Sequence, residues 1–483
     1  MGTFFSKKSI DTIVKESGEK GGFNRHLSAM NLIALGIGVI VGTGIFVITG
    51  TAAANNAGPA LTLSFVISGI GCMMAALCYA EFAAMMPISG SAYAYSYTTL
   101  GEGPAWYIGW MLVLEYLFAA AIVAGGCSSY LLSLLGDFNI HLPAVICETP
   151  YKYVDGAWVK TGGIINLPAV LIVVVLATFL LRGISQSARV NNIIVITKLV
   201  VILVFIGVGV FYINTSNWVP YVPQNTGTFG EFGWSGVFRG AGIVFFAFLG
   251  FDAMSTAAQE ARHPQRDMPK AIIISLIICT LLYVAVTAVL TGIVNYKDLN
   301  VTAPIALAID RTGLTWLSPL IKIGAIAGII SVVLVLLLAQ SRLYYAMSKD
   351  GLIFRMFSDI NNIHKSPRKG TIFAAIVTSI LAGFAPVAVL GELVSIGTLI
   401  AFASVCVSIM ILRKTQPDAI RPFRTPYVPF VPLLGALICI AQIVVLPGET
   451  WARLSIWVLL GTIIYIFYGR RHSNLKKKRN SAS

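Results

Sequence analysis

The chain has 483 residues, of which 57% are hydrophobic and only 11% charged, against roughly 25% charged residues in a soluble globular protein. So little charge over that length cannot dress a water-facing surface, which excludes an ordinary soluble enzyme or binding domain and makes lipid the expected solvent. The net charge of +14 invites a nucleic-acid reading, but the lysines and arginines stand in short clusters between apolar stretches, as topology determinants do, so no nucleic-acid partner is expected.

Residues 1–28 are polar and lack the apolar core of a signal peptide; they read as a cytoplasmic N-terminal segment. Twelve apolar segments follow, at about 30–52, 60–86, 105–135, 165–181, 191–213, 236–258, 271–294, 316–345, 371–390, 392–412, 427–446 and 451–468. Each approaches the roughly 20 residues that a hydrocarbon core of about 30 Å requires. The fold class predicted is an all-α integral membrane protein with twelve transmembrane helices, divided into a core over 29–413, two further helices over 414–469 and a basic tail over 470–483.

Segment 1 carries Gly36, Gly38, Gly42 and Gly44 near its middle. Glycine costs about 1 kcal/mol against alanine inside a helix, so two readings stand: close helix packing through small residues, or an unwound break. A break in lipid survives only where protein or a water-filled cavity satisfies the freed backbone. It then offers amides to an anion and carbonyls to a cation. Segment 3 carries Glu115 about three turns in, too deep and too short-stemmed to reach the interface easily. The loop after it, about 136–164, holds Cys147; the other six cysteines fall within apolar segments, and with no C-x-x-C pair neither a disulfide framework nor a metal site is expected.

Segment 5 carries Lys198 about two turns in, which admits snorkelling to the interface as well as burial. Segment 6 has Arg239 toward its outer end and then Phe245-Phe246-Ala247-Phe248-Leu249-Gly250-Phe251-Asp252, a glycine and an acid amid aromatics near mid-membrane. Asp252 is expected to bond amides freed beside that break. Glu81 and Glu260 lie near cytoplasmic ends and are expected to form gating salt bridges with some of Arg189, Arg262, Arg266 and Arg342. Lys322 and Glu392, near outer ends, read as interfacial.

Placing the N-terminus inside puts 26 of the 34 lysines and arginines on the cytoplasmic side, five outside and three within spans, so both termini are expected to be cytoplasmic. Segment 6 follows segment 1 by five. With an odd number of helices per half the second half enters the bilayer from the other side, so two interruptions at corresponding positions fit an inverted repeat, the best sequence pointer to a transporter's binding site.

Further motifs are Tyr79-Ala80-Glu81-Phe82, Pro87-Ile88-Ser89-Gly90-Ser91-Ala92-Tyr93, Glu260-Ala261-Arg262-His263-Pro264, and Gln340-Ser341-Arg342 with Met347-Ser348-Lys349-Asp350-Gly351. In their order and spacing, together with the two interrupted segments, the chain resembles the amino acid–polyamine–organocation superfamily, and more narrowly bacterial members of the cationic amino acid transporter family. The resemblance runs from about Leu27 to the end of segment 12. It implies a LeuT-type five-plus-five inverted repeat with two additional helices, and alternating access around a mid-membrane site.

Carried onto these residues, the resemblance implies that a substrate carboxylate meets the amides of Gly42, Thr43 and Gly44, beside Ile40 and Val41. The substrate ammonium would meet carbonyls near Phe246, Ala247 and Leu249, beside Gly250, with Phe246 closing over the site. Lys198 would stand where sodium stands in sodium-coupled relatives, as the proton-coupling residue. Glu115 would lie near the substrate side chain and favour cationic amino acids, or take part in proton handling, against the alternative of a structural hydrogen bond. Apart from the resemblance, the positions of Arg239, Asp252 and Glu260 make them candidates for gating, with simple snorkelling as the alternative for Arg239.

The expected function is therefore secondary active, proton-coupled symport of cationic or small neutral L-amino acids across a cell membrane, with no cofactor besides the proton. An amino acid exchanger of the same fold is the alternative; a channel or sensor without coupled transport is the alternative from another class. Zinc-protease, G-x-S-x-G, Walker and dinucleotide motifs are absent from the sequence, so no enzyme is expected.

Overall fold

The computed structural model describes residues 4–10, 27–88, 90–154, 157–182, 188–301, 303–359, 367–444, 446 and 448–476. Helix α1 (Ala29–Ile40) is capped by Ser28, whose hydroxyl accepts from the Asn31 amide at 3.3 Å. The chain breaks after Ile40, rewinds from Gly44 to Ala57 with wide turns on either side of a short α-helical stretch, and stops at Gly58, whose φ of +60° suits glycine. Then come α2 (Leu61–Met85), the short α3 (Ser91–Thr99) and the long α4 (Glu102–Asp137).

The loop after α4 holds an antiparallel hairpin, β1 (Tyr151–Val154) with β2 (Ala157–Lys160), in a fold that is otherwise mainly helical. Asn166 caps α5 (Leu167–Leu181), and α6 (Ala188–Gly209) follows. The next interruption separates α7 (Gly233–Val244) from α8 (Phe251–Ser255). After it come α9 (Pro264–Ile293), the short α10 (Pro304–Arg311) and α11 (Leu317–Lys349). The chain ends with α12 (Arg368–Phe384), α13 (Val387–Thr415), α14 (Phe430–Val444) and α15 (Gly448–Ile464).

Every expected segment meets a helix, and eight helical stretches among the described residues are long and apolar enough to cross a bilayer. One of the eight, Ala29–Met85, is 57 residues long, more than twice the roughly 20 residues of one crossing. The boundary between segments 9 and 10 falls at 385–386 instead of 390–392. Proline explains the shift: it disfavours helical backbone in the residue before it, and Ala385, ahead of Pro386, is extended with ψ 138°.

The outward faces are apolar. On α6, Ile193, Ile196, Val200 and Leu203 are 51–60% exposed and recur at helical spacing, while Lys198 on the opposite side is 0% exposed. A face of that kind needs lipid against it. Inside, α4 is the central strut, packed by α11 and α13, while α2 pairs with α9. Helix α15 is pinned to α4 by indoles: Trp106 donates to the Gly461 carbonyl at 3.1 Å, and Trp110 and Trp457 each donate to the other's carbonyl.

Candidate functional site

The first break begins where Val41 leaves helical geometry with ψ 95°. The Gly42 carbonyl then accepts from Ile45 and Phe46 at 3.2 and 3.1 Å, so the amides of Gly42, Thr43 and Gly44 stand at a fresh helix start, where no preceding turn can accept from them. The carbonyls at the end of α1 are equally freed, and Lys198 occupies them. Its ammonium donates to Gly38 O at 2.5 Å and Val41 O at 2.9 Å, with the Ser331 hydroxyl at 3.2 Å. Gly328, one turn before Ser331 on α11, makes the room: a Cβ there would lie 3.1 Å from the Lys198 Cβ. The snorkelling alternative for Lys198 does not describe this geometry.

The second break is sharper. Phe245–Phe248 tightens into a 3₁₀ turn, Leu249 is extended, and Gly250 takes φ +101° before α8 starts. Only glycine adopts that φ readily, and a Cβ at Gly250 would also press on Val39 of α1 at 2.6 Å. The two breaks touch: a Cβ on Gly44 would collide with the Ala247 backbone. Between them stands Tyr283 of α9, buried, its hydroxyl 2.7 Å from Ile40 O and 2.8 Å from Ala247 O. With one proton to give, it donates to one carbonyl at a time and so couples the two interruptions.

These contacts bear on the expected ammonium partners. The Ala247 carbonyl already faces Tyr283, and the Phe246 carbonyl accepts from the Leu249 amide at 3.2 Å. Phe246 is 5% exposed at the break. Ile40 and Val41 line the first break, with the Ile40 carbonyl on Tyr283 and the Val41 carbonyl on Lys198.

Two acids share the interior beside the breaks. Asp252 accepts from the Tyr116 hydroxyl at 2.5 Å, and the backbone amides of Gly250, Asp252 and Ala253 at the break also act on its carboxylate, as expected for it. Glu115, next to Tyr116, is 1% exposed and lies within electrostatic reach of Asp252. One oxygen of each carboxylate, Glu115 Oε2 and Asp252 Oδ1, is buried without a hydrogen-bond partner in the protein. Buried polar atoms in native structures are nearly always paired, so this corner is equipped to receive a donor.

The residues expected to gate are dispersed. Glu260 pairs with Arg342 of α11, whose other guanidinium nitrogen lies 3.5 Å from the Thr256 hydroxyl. The Glu260 backbone is also laddered to Leu27, just ahead of α1. Glu81 pairs with two arginines outside the set expected for it, Arg413 at 2.8 Å and Arg421 at 3.2 Å, from the α13 end and the loop after it. The Arg189 side chain lies outside the described residues. Arg239 is exposed and, among the described residues, donates to the Phe229 carbonyl at 3.4 Å. Lys322, expected near the interface, is buried between Asp137 and Asp310, and Glu392 ties α13 to α15 through Thr450 and Arg453.

Sequence reasoning passed over Tyr283, Ser331 and Tyr116. A tyrosine or serine in an apolar helix is ordinary, and only the geometry of the breaks singles these out. The nearest signal was the short side-chain spacing of Gly328 and Ser331, which leaves a notch on one face of α11.

A family model described as amino acid permease matches residues 27–468. The chain is 45% identical over 477 residues to the methylthioribose transporter of Bacillus subtilis (strain 168), covering 99% of this chain and 100% of that protein. It is 45% identical over 478 residues to the branched-chain amino acid permease BcaP of the same organism, with 99% and 100% covered. To the vacuolar cationic amino acid transporter 4 of Arabidopsis thaliana it is 30% identical over 591 residues, with 98% and 97% covered.

Proposed function

The chain belongs to the amino acid permease family, a family of multi-pass membrane proteins, and from that premise we propose that it is a secondary active, proton-coupled symporter of L-amino acids. Twelve spans, the first ten arranged as a five-plus-five inverted repeat and both termini cytoplasmic, provide alternating access to a site at the paired breaks. The substrate carboxylate is held by the amides of Gly42, Thr43 and Gly44, where aligned N–H groups favour an anion. Its ammonium turns to the carbonyls beside Leu249 and Gly250, with Tyr283 yielding one of its two acceptors.

The observation that carries this reading is the Lys198 ammonium seated on Gly38 O and Val41 O at 2.5 and 2.9 Å. A cation placed on helix-end carbonyls does what a bound metal ion would do, yet it can discharge by giving up a proton. Protonated Lys198 braces the broken α1; deprotonated, it donates fewer hydrogen bonds and releases the brace, which ties the proton to the shape of the site.

Glu115 and Asp252 favour a substrate with a cationic side chain, whose donors would satisfy the two unpaired carboxylate oxygens. The relatives' names extend the panel to branched-chain amino acids and methylthioribose. Exchange is the second reading of the coupling, because Tyr283 and Lys198 would also serve an obligatory swap.

Proteoliposomes separate these. Accumulation of alanine or arginine into an empty lumen under an inward proton gradient, collapsing when the gradient is dissipated, is the expected result. Uptake only when the lumen is preloaded with substrate would replace symport by exchange. Uptake that never exceeds equilibration would point to an uncoupled pathway.

A further inference from the structure

At the end of the bundle opposite Glu102 of α4 and Lys349 of α11, Lys322 is buried to 1% exposure. Its ammonium donates to Asp137, the last residue of α4, at 2.6 Å, and to Asp310, in the last turn of α10, at 3.3 Å. Ser318, one turn earlier on α11, donates to the other oxygen of Asp310 at 2.5 Å and lies 3.4 Å from Asp137. The end of α4, far away in the chain, thus meets the neighbouring helices α10 and α11 on one ammonium.

One of the three is a cover. Ile305, Ala306, Ala308 and Ile309 turn the inner face of α10 into the protein at 0–1% exposure. The start of α10 rests on the rewound half of the first broken segment: a Cβ at Gly50 would meet the Leu299 carbonyl and lie 2.8 Å from the Pro304 Cβ. Helix α10 therefore roofs the stretch that leads away from the Gly42–Gly44 amides, and its far end is the end that Lys322 holds.

We propose that Lys322, Asp137 and Asp310 form a charge clamp that keeps α10 closed over the first broken segment, and that the clamp releases at Asp310 when the site opens to the outside. The proposal rests on the alternating-access reading above. The geometry says which contact gives. Lys322 sits closer to Asp137 than to Asp310, and the Asp310 side chain is 45% exposed against 24% for Asp137. Water can take over the Asp310 carboxylate as it leaves, while Lys322 keeps a carboxylate beside it and never becomes a lone buried charge, the expensive outcome.

The test places a reporter thiol under the roof, Ala306→Cys, with Cys147→Ser to remove the loop cysteine, in full-length protein labelled from outside by a sulfonated, membrane-impermeant maleimide. Adding Asp310→Asn, or separately Ser318→Ala, should speed labelling, roughly tenfold for Asp310→Asn, while alanine and arginine still raise the melting temperature of the purified variant as they do for the parent. A parent whose labelling changes with added alanine or arginine, while both clamp variants label at the parent rate, would overturn the clamp alone. A parent whose labelling is indifferent to alanine and arginine would instead count against alternating access, and the clamp would fall with it.

Discussion

Lys198 and Lys322 are both shut away from solvent, at 0% and 1% exposure, yet they are held by opposite kinds of partner. Lys322 lies between two carboxylates, Asp137 and Asp310. Lys198 lies on two backbone carbonyls and a hydroxyl. Removing the proton from Lys322 would strand two acids; removing it from Lys198 strands none. On the reading proposed above, the lysine paired with carboxylates joins elements of the fold, whereas the one lodged on peptide dipoles acts through the backbone it braces.

The comparison breaks most decisively at Lys198. Lys198→Met should abolish accumulation driven by a proton gradient, a loss of about 100-fold or more on the scale usual for removal of a proton-transfer group, measured as initial uptake of radiolabelled alanine. Lys322→Met should leave gradient-driven uptake in place; if it too lost coupling, the two lysines would not differ in kind. Its cost appears in stability, about 1–2 kcal/mol because the abandoned acids are part-solvated, read as a lower melting temperature in detergent.

Gly44→Ala sharpens the same contrast from the backbone side. Its methyl group would enter the Ala247 backbone and force the two breaks apart. Uptake should fall at least about tenfold, the order expected when rigid backbone must shift to relieve overpacking; uptake within twofold of the parent would mean the breaks need not touch. Glu115→Gln should cost arginine uptake about tenfold, one charge-assisted hydrogen bond, with a smaller effect on alanine. Equal losses for both would assign Glu115 to structure or to proton handling. The smallest effect is expected for Tyr283→Phe, which removes one shared hydroxyl worth about 1 kcal/mol and should slow uptake a few-fold while leaving proton coupling intact.

Much of this organisation is legible in the sequence because its signals are chemically loud. Four glycines inside one apolar segment, a lysine two turns into another and Phe245–Asp252 in a third are costly in lipid, and cost draws attention to them. The apolar segments announce themselves by length, so each meets a helix. What the sequence hides is partnership. Lys322 reads as interfacial because its acids arrive from the end of α4 and from α10, which show no periodic signal linking them to α11. Glu81 finds Arg413 and Arg421 more than 330 residues away in the chain, a pairing that depends on α13 packing beside α2. Tyr283 is silent for the opposite reason: one hydroxyl in a long apolar helix is unremarkable until the two carbonyls it spans are known. The boundary at Pro386 shows a milder case, where local backbone preference overrides an apolar run that continues through it.

The most direct measurement follows protons and not substrate. Proteoliposomes loaded with a pH-sensitive dye and held at zero membrane potential are given external alanine or arginine. The account predicts that the lumen acidifies on addition of substrate with the parent protein, and stays level with Lys198→Met even though that variant still shows a substrate-dependent thermal shift. Substrate-driven acidification that persists in Lys198→Met, or is missing from a parent protein that accumulates substrate, would contradict the assignment of proton coupling to this lysine.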